Sequence, residues 1–404
     1  MKPTLARFAF ALAASPALAQ DRDASFVLVP DVTLWSVSAD GNAACGYTAT
    51  DAVRWTRSGG VELLPKLPGR EDGNARAYAI SWDGRTICGT SSGVSPRVAW
   101  IWRQGQGLEQ LPDVPDAYPN SYPQAISGDG RACAGICASP TVPGPAFWND
   151  SGVHPILGTI GTTGLAVALS YSGDVGAAFT VLGLTPYGYW FDSAGNLEPI
   201  DSELGGFSPM AVSADGSTFV GGTWVSNHSR AAFWSRTRGV DYLPGIFGQL
   251  DNSLARGISA DQRTICGDSQ LGTFWSAWVW DAHNQARALR VVATDHLQHD
   301  PGHLDYVKAV SPDGRTFVGM PRPNSSASYI LRLRAPCPGD VDDGTMSGGR
   351  DGAVTIDDLL ALVVWYQLGD PRADLDDGTA RGVPDASVTI DDLLYFLTGY
   401  QAGC

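Results

Sequence analysis

One phrase recurs seven times, and few folds can accommodate it. It reads Ser38-Ala-Asp-Gly, Ser81-Trp-Asp-Gly, Ser127-Gly-Asp-Gly, Ser170-Tyr-Ser-Gly, Ser213-Ala-Asp-Gly, Ser259-Ala-Asp-Gln and Ser311-Pro-Asp-Gly, with the serines 43, 46, 43, 43, 46 and 52 residues apart. A period of roughly 40–50 residues is that of a propeller blade. Within one copy, Ala77 to Ser81 reads as a strand, Asp83-Gly84 as a tight turn, Arg85 to Gly89 as a second strand, and Arg97 to Trp102 and Leu108 to Leu111 as a third and fourth. Four strands make one blade. The seventh copy runs out after its third strand, and Phe26-Val-Leu-Val-Pro30 matches the fourth-strand phrases Val61-Glu-Leu-Leu-Pro65 and Leu108-Glu-Gln-Leu-Pro112. The N-terminal strand is therefore expected to complete blade seven, which closes the ring and hides its sheet edges.

Position within the repeat assigns many side chains to the core. Trp55, Trp102, Trp148, Trp190, Trp234 and Trp280 recur once per copy, with Leu331 in the seventh, as packing between neighbouring blades requires. Cys45, Cys88 and Cys266 stand where other copies have Val220 and Val318, so they are read as small buried hydrophobes. The Asp of each phrase is read as a turn former. His296, His299 and His303 fall in the long connection before the seventh copy, where Pro301 opposes a helix spanning them, and are read as a polar loop.

The phrases Ala125-Ile-Ser, Asp129-Gly and Ala146-Phe-Trp148 resemble the HAF family, extracellular repeats expected to form β-propellers. The histidine that names the family is replaced here by Pro145, Ala231 and Val98 in three copies. The resemblance implies architecture more than activity.

Residues 337–404 are of another kind. They hold 13 Asp and 3 Arg, a net −10 of the chain's −15, so the first 336 residues carry only −5. Nothing is basic enough to track a phosphate backbone, which argues against nucleic acid as a partner. The acidic residues come in two registered copies, 34 residues apart. Asp340 and Asp342 lead to Asp351-Gly-Ala353-Val-Thr355-Ile-Asp357-Asp358, and Asp374 and Asp376 lead to Asp385-Ala-Ser387-Val-Thr389-Ile-Asp391-Asp392. Carboxylates at alternate positions and again at the head of a helix suit calcium, which takes about six to eight oxygens. In the first loop Asp340, Asp342, Asp351 and Asp358 would supply side chains, Ala353 its carbonyl, and Thr355 a direct or water-mediated contact. In the second, Asp374, Asp376, Asp385, Ser387, Thr389 and Asp392 would do so. The eight residues between second and third ligand positions leave Asp343 or Asp377 as alternatives to Asp351 or Asp385. Helical spacing of apolar residues predicts an exiting helix over Ile356 to Leu368 and another over Ile390 to Tyr400.

Two calcium loops, each with only an exiting helix, resemble the type I-like dockerin family. The resemblance implies two calcium ions and a cohesin-like protein partner. The Gly-Cys ending resembles a bacterial dockerin subtype defined by that terminus, so Cys404 is expected either to pair with Cys337 or to serve as an attachment point. Cys337 and Cys404 bracket the module, and their bond would stabilise it by roughly 4 kcal/mol in the chain-entropy model.

Met1 to Ala19 reads as a secretory signal peptide, with Lys2 and Arg7, the apolar Phe8 to Ala14 and the ending Ala17-Leu18-Ala19. No later segment has the roughly 18 uninterrupted apolar residues of a spanning helix. The expected organisation is a signal peptide (1–19), an all-β seven-bladed propeller (20–335) and a small all-α dockerin (336–404), exported to the extracellular space or cell surface. On the propeller, the long connections bring Tyr118, Tyr122, Tyr187, Trp224, His228, Phe247 and Trp275 toward one face, the expected ligand face for a polysaccharide or protein. A second reading makes the propeller a polysaccharide hydrolase or lyase. Its mark would be an acidic pair, or a Tyr, His and Arg constellation, converging over the central channel; for glycosidase chemistry, which needs two carboxyl groups, Glu71, Asp72, Asp113, Asp116 and Asp251 are available.

Overall fold

A computed structural model describes residues 24–92, 96–114, 120–137, 144–156, 164–182, 185–200, 206–225, 228–246, 252–281, 285–334, 339–342, 344–346, 354–376 and 387–402. The chain divides into two compact units, one of them Ala24–Leu333, the other containing the described residues from Arg334 onward.

The larger unit is a propeller of seven four-stranded antiparallel sheets. Its innermost strands are Thr33–Val37, Asn74–Ile80, Ser121–Ile126, Leu165–Leu169, Phe207–Val212, Asn252–Ile258 and Tyr306–Val310, which open blades one to seven in chain order. Six blades are meanders of consecutive strands. The seventh takes its outer strand from the other end of the unit: Ser25–Val29 pairs antiparallel with Ser328–Arg332, Phe26 opposite Leu331. The sequence reading anticipated this closure.

The repeated phrase is the turn after each innermost strand, and its chemistry is visible in blade one. Ser38 Oγ donates to Asp40 Oδ1 (2.7 Å) and accepts from Ala43 N (2.9 Å), while Asn42 N donates to the same carboxylate. Ser81–Asp83, Ser127–Asp129, Ser213–Asp215, Ser259–Asp261 and Ser311–Asp313 repeat the serine–aspartate bond. All these serines are buried. A buried hydroxyl must be paired, and the Asp two residues on accepts its proton. The residue after that Asp is left-handed, φ +66° at Gly41, which only glycine adopts without strain. A Cβ on Gly41 would lie 2.0 Å from Thr316 Oγ1, so the turn of blade one is seated on blade seven.

Between blades the packing is as the periodicity predicts. Trp55, Trp102, Trp148 and Trp234 are buried and Trp190 and Trp280 largely so, with Leu331 fully buried in the seventh blade. Cys45, Cys88, Cys133, Cys137 and Cys266 are buried free thiols. Burial pushes the Cys45 and Cys266 thiols far up, so they stay protonated and inert. The connection before blade seven differs from the polar loop read from sequence. It carries a helix, α1 (Leu289–Leu297), because Leu289, Val292 and Ala293 fall on one face and enter the core. His299 Nδ1 lies 3.0 Å from the Leu297 carbonyl and His303 pairs with Asp305 at 3.5 Å.

The smaller unit has helices α2 (Ile356–Leu368) and α3 (Ile390–Ala402) around a core of Val341, Ala361, Leu362, Trp365, Ala373 and Phe396. Thr355 caps α2 in a capping box with Asp358, and Gly369 ends it at φ +63°. Among the described residues no helix is long and apolar enough to cross a membrane.

Candidate functional site

Two places gather chemistry-bearing side chains, one in each unit. In the smaller unit, each helix begins with a buried carboxylate that organises the segment before it. Asp358 Oδ1 accepts from Val341 N (2.7 Å) and Asp342 N (2.9 Å), and its Oδ2 from Thr355 N (2.7 Å). Asp392 repeats this 34 residues later, accepting from Leu375 N (2.5 Å), Asp376 N (2.8 Å) and Thr389 N (2.6 Å). Asp340, Asp342, Asp358, Asp376 and Asp392 are all buried. Asp342 also accepts from Gly344 N and Met346 N, which folds the chain back after the second aspartate. Arg372 ties this loop down: it donates to the Met346 carbonyl (2.8 Å), pairs with Asp370 and lies 4.6 Å from the Trp365 ring centre. The hydrogen bonds from Arg372 hold the Asp370 carboxyl down to about 2.

The all-oxygen donor set of Asp340, Asp342 and Asp358, with Asp374, Asp376 and Asp392, is chemically suited to calcium. Among the described residues no three His, Cys, Asp or Glu side chains are grouped to hold a metal ion. Asp351, Ala353 and Asp385, and the alternatives Asp343 and Asp377, lie outside the described residues, as do Cys337 and Cys404. The Thr355 hydroxyl caps α2 by accepting from Asp357 N, a role the sequence reading did not give it. Ser387 and Thr389 are exposed. A Cβ on Gly339 would lie 2.7 Å from Tyr400 N, so the first described residue of this module touches its last helix.

The second place is the axis of the propeller. Every innermost strand carries a register shift against its neighbour at one residue: Trp35, Tyr78, Gln124, Val167, Met210, Arg256 and Lys308. A β-bulge adds a residue without a partner and re-aims its side chain. All seven line a central cavity of about 370 Å³. The second residues of five turns, Trp82, Tyr171, Ala214, Ala260 and Pro312, line it too, and the Trp82 and Tyr171 rings lie 4.8 Å apart.

Charge in this ring is confined to the adjacent blades six and seven. Arg256 Nε and Nη2 donate to Asp268 at 2.9 and 3.4 Å, and Asp268 is buried behind it. Lys308 Nζ lies 4.3 Å from the Trp35 ring centre and 5.8 Å from that of Tyr306. Burial, helped by the neighbouring Arg256 charge, lowers the Lys308 ammonium to about 8, against the pull of Asp268. Trp35 packs against Tyr47 and Tyr78, whose rings lie 6.4 and 6.1 Å away. Trp35 Nε1 is buried without an acceptor among the described residues. No carboxylate is among the described residues lining the cavity.

This ring was missed in the sequence, although a signal was there. Each member stands three residues before the serine of the repeated phrase, and it is the one place where the copies differ freely while their flanks stay small or aliphatic. The expected ligand-face residues fare differently. Tyr187, Trp224, His228 and Trp275 lie in strands, not loops, because the second and third strands of blades four to six extend to eight residues each and form long hairpins. Tyr122 lies on an innermost strand beneath Arg97 (5.9 Å), and burial raises its phenol. Trp275 stacks at 4.6 Å on Tyr306, the first residue of the innermost strand of blade seven. Tyr187 and Trp224 are about half exposed, His228 lies 3.3 Å from Asn252 Oδ1, and Tyr118 and Phe247 lie outside the described residues. Of the acidic candidates, Glu71 accepts from Gly69 N and Asp113 from Ser121, while Asp116 and Asp251 lie outside the described residues.

No protein-family model matches the chain, and no curated protein matches it. Among solved structures it is similar to an oligogalacturonate lyase from Vibrio parahaemolyticus, with TM-score 0.54 and 10% identity over 78% of this chain and 98% of that one. Hydrazine synthase of Kuenenia stuttgartiensis gives TM-score 0.49 and 13% identity over 76% and 96%, and TolB of Acinetobacter baumannii 0.42 and 15% over 76% and 79%. At such identities the likeness to the lyase speaks for the propeller fold alone.

Proposed function

We propose that this is an exported, non-enzymatic propeller that binds a polysaccharide or protein ligand and is held in place by its C-terminal module. That module is read as a type I-like dockerin that takes two calcium ions and docks into a cohesin-like partner. The propeller is read as built from HAF-type repeats.

The docking half rests on one observation. The two helices expose the same apolar stripe twice: Ile356 and Leu360 on α2, at 58% and 55% exposure, correspond to Ile390 and Leu394 on α3, each 55%. Val363, Val364 and Leu368 continue the stripe on α2. Large side chains left in water in two equivalent rows favour a protein surface that covers them. The buried Asp358 and Asp392 supply the frame, since each fixes a loop to the start of its helix. The touching backbones of Gly339 and Tyr400 support a clasp between Cys337 and Cys404 at the ends of the module. The hydrolase reading has less support, because the channel wall offers no pair of carboxylates among its described residues; toward a lyase the described wall supplies Tyr78 and Arg256 but no histidine.

The test is a calcium titration of the whole chain followed by calorimetry. One transition should move up with millimolar calcium and return with a chelator, and Leu360→Glu with Leu394→Glu should abolish capture by a cohesin panel while leaving that calcium shift intact. A chain indifferent to calcium would overturn the reading of the module.

A further inference from the structure

The bulge ring gives the propeller a binding site that its loop face does not. We propose that the central channel binds an organic carboxylate with an apolar face, its charge held by Lys308 and Arg256 and its face laid against Trp35 and Tyr78. This rests on reading the propeller as a binder and names a ligand class for it.

Three observations point the same way. First, of the two cations in the ring, Arg256 already shares its charge with Asp268, whereas no described carboxylate lies within ion-pair distance of Lys308. Arg256 Nη1 also has no described protein acceptor, so two donors on adjacent blades face one cavity. Second, the Lys308 ammonium rests on the Trp35 indole, so a charge and an aromatic face stand together on the cavity wall. Cationic donors on a cavity wall specify what can enter: an oxygen-bearing anion, for which guanidinium and ammonium groups are the usual partners. Third, the rest of the wall is not built for a bare inorganic ion. Trp35 stands next to Lys308 and Tyr78 packs on Trp35, and a sugar or aromatic ring can stack on such faces while its carboxylate reaches Lys308. The cavity, about 370 Å³, has the size of a small-molecule site and is too small for a folded partner. Burial of the ammonium, which lowers it to about 8, leaves it charged at neutral pH but poorly solvated, so an incoming anion meets little competition from water.

The experiment is calorimetric titration of the whole chain at pH 7 with glucuronate, benzoate, their neutral counterparts glucose and benzamide, and sulfate. At least one carboxylate should bind, and its neutral counterpart should bind at least about tenfold more weakly. Lys308→Met should weaken the carboxylate roughly 10- to 100-fold, as loss of one charge-assisted contact does, and Lys308→Arg should stay within a few-fold. Preference for glucuronate identifies an acidic sugar, and preference for benzoate an aromatic acid. Equal binding of charged and neutral probes, tighter binding of sulfate than of either carboxylate, an unchanged Lys308→Met with Lys308→Arg folded, or no carboxylate bound at millimolar concentration would each overturn the proposal. If Lys308→Met still captures a glycan on an array as wild type does, the propeller remains a binder and only the channel assignment falls.

Discussion

Replacing Asp358 by Ala should unfold the C-terminal module and leave the propeller standing. The carboxylate is fully buried and accepts from three main-chain amides, those of Val341, Asp342 and Thr355. Each buried donor left without an acceptor costs about 1–3 kcal/mol, so three cost about 3–9 kcal/mol before relaxation, and we expect a net loss of about 4–5 kcal/mol. A module of this length has only about 3–10 kcal/mol in total, at roughly 0.05–0.15 kcal/mol per residue. One substitution therefore consumes much of it. The assay is scanning calorimetry of the whole chain, where the module should show its own transition. Asp358→Ala should abolish that transition or lower it by at least about 10 °C while the propeller transition stays put. Asp357→Ala is the control, because this neighbouring carboxylate is exposed, and it should change stability by no more than about 0.5 kcal/mol. Equal effects of Asp357→Ala and Asp358→Ala would refute the reasoning. Asp392→Ala should repeat the result, since its hydrogen bonds are the same in kind and number of main-chain donors.

Further outcomes concern the propeller. Gly41→Ala should destabilise it by several kcal/mol, at least about 3, because the new methyl combines a left-handed backbone with a collision against Thr316, whereas Gly105→Ala, also left-handed but facing open space, should cost about 1 kcal/mol; chemical denaturation compares them. Lys308 binds its proton less tightly when folded, at about 8 against an ordinary 10.5, so the unfolded chain holds more protons between those pH values and stability should rise through that window. With Arg256, Asp268, Trp35 and Tyr306 around it and the channel partly open to water, the gain should be about 1–2 kcal/mol, read as the difference between wild type and Lys308→Met from pH 8 to 10. Deleting residues 24–29 should leave the edge of Ser328–Arg332 unpaired and turn a monodisperse protein into an aggregating one, measured by light scattering.

Much of this fold was legible because a propeller writes itself in repeats. The seven serines gave the blade count, and the unmatched Phe26 phrase gave the closure, since both depend on local turn chemistry and on pairing that any blade must satisfy. What stayed hidden depends on geometry the alternation pattern obscures. A bulge shifts the in-out register by one residue, so Arg256 and Lys308 looked like ordinary strand residues flanked by aliphatic ones, although each turns into the channel. The extended hairpins around Tyr187, Trp224 and Trp275 were read as long connections from the order of the strands, and pairing across the two strands lengthens them into the sheet instead. In the C-terminal module the Asp pattern was plain, but its Thr355–Asp358 capping box was overlooked, because the same oxygens that suit a cation also cap a helix.

The ring has a seam. Main-chain bonds join most turns around the channel mouth, Ala39 N to Trp82 O, Trp82 N to Gly128 O, Asp129 N to Tyr171 O, Tyr171 N to Ala214 O and Ala260 N to Pro312 O, while the Gln262 side chain of blade six bridges to Thr218 and Asp215 of blade five. Pro312 has no N–H to hand on to blade one. That joint is instead closed by the strand Ser25–Val29, by Leu34 N donating to Ser328 Oγ across 294 residues of chain, and by Gly41 seated on Thr316. A ring joined this way cannot be completed while it is being synthesised. Its first strand must remain unclaimed until the last blade has emerged, and the circle is then fastened in one late step by the two ends of the domain.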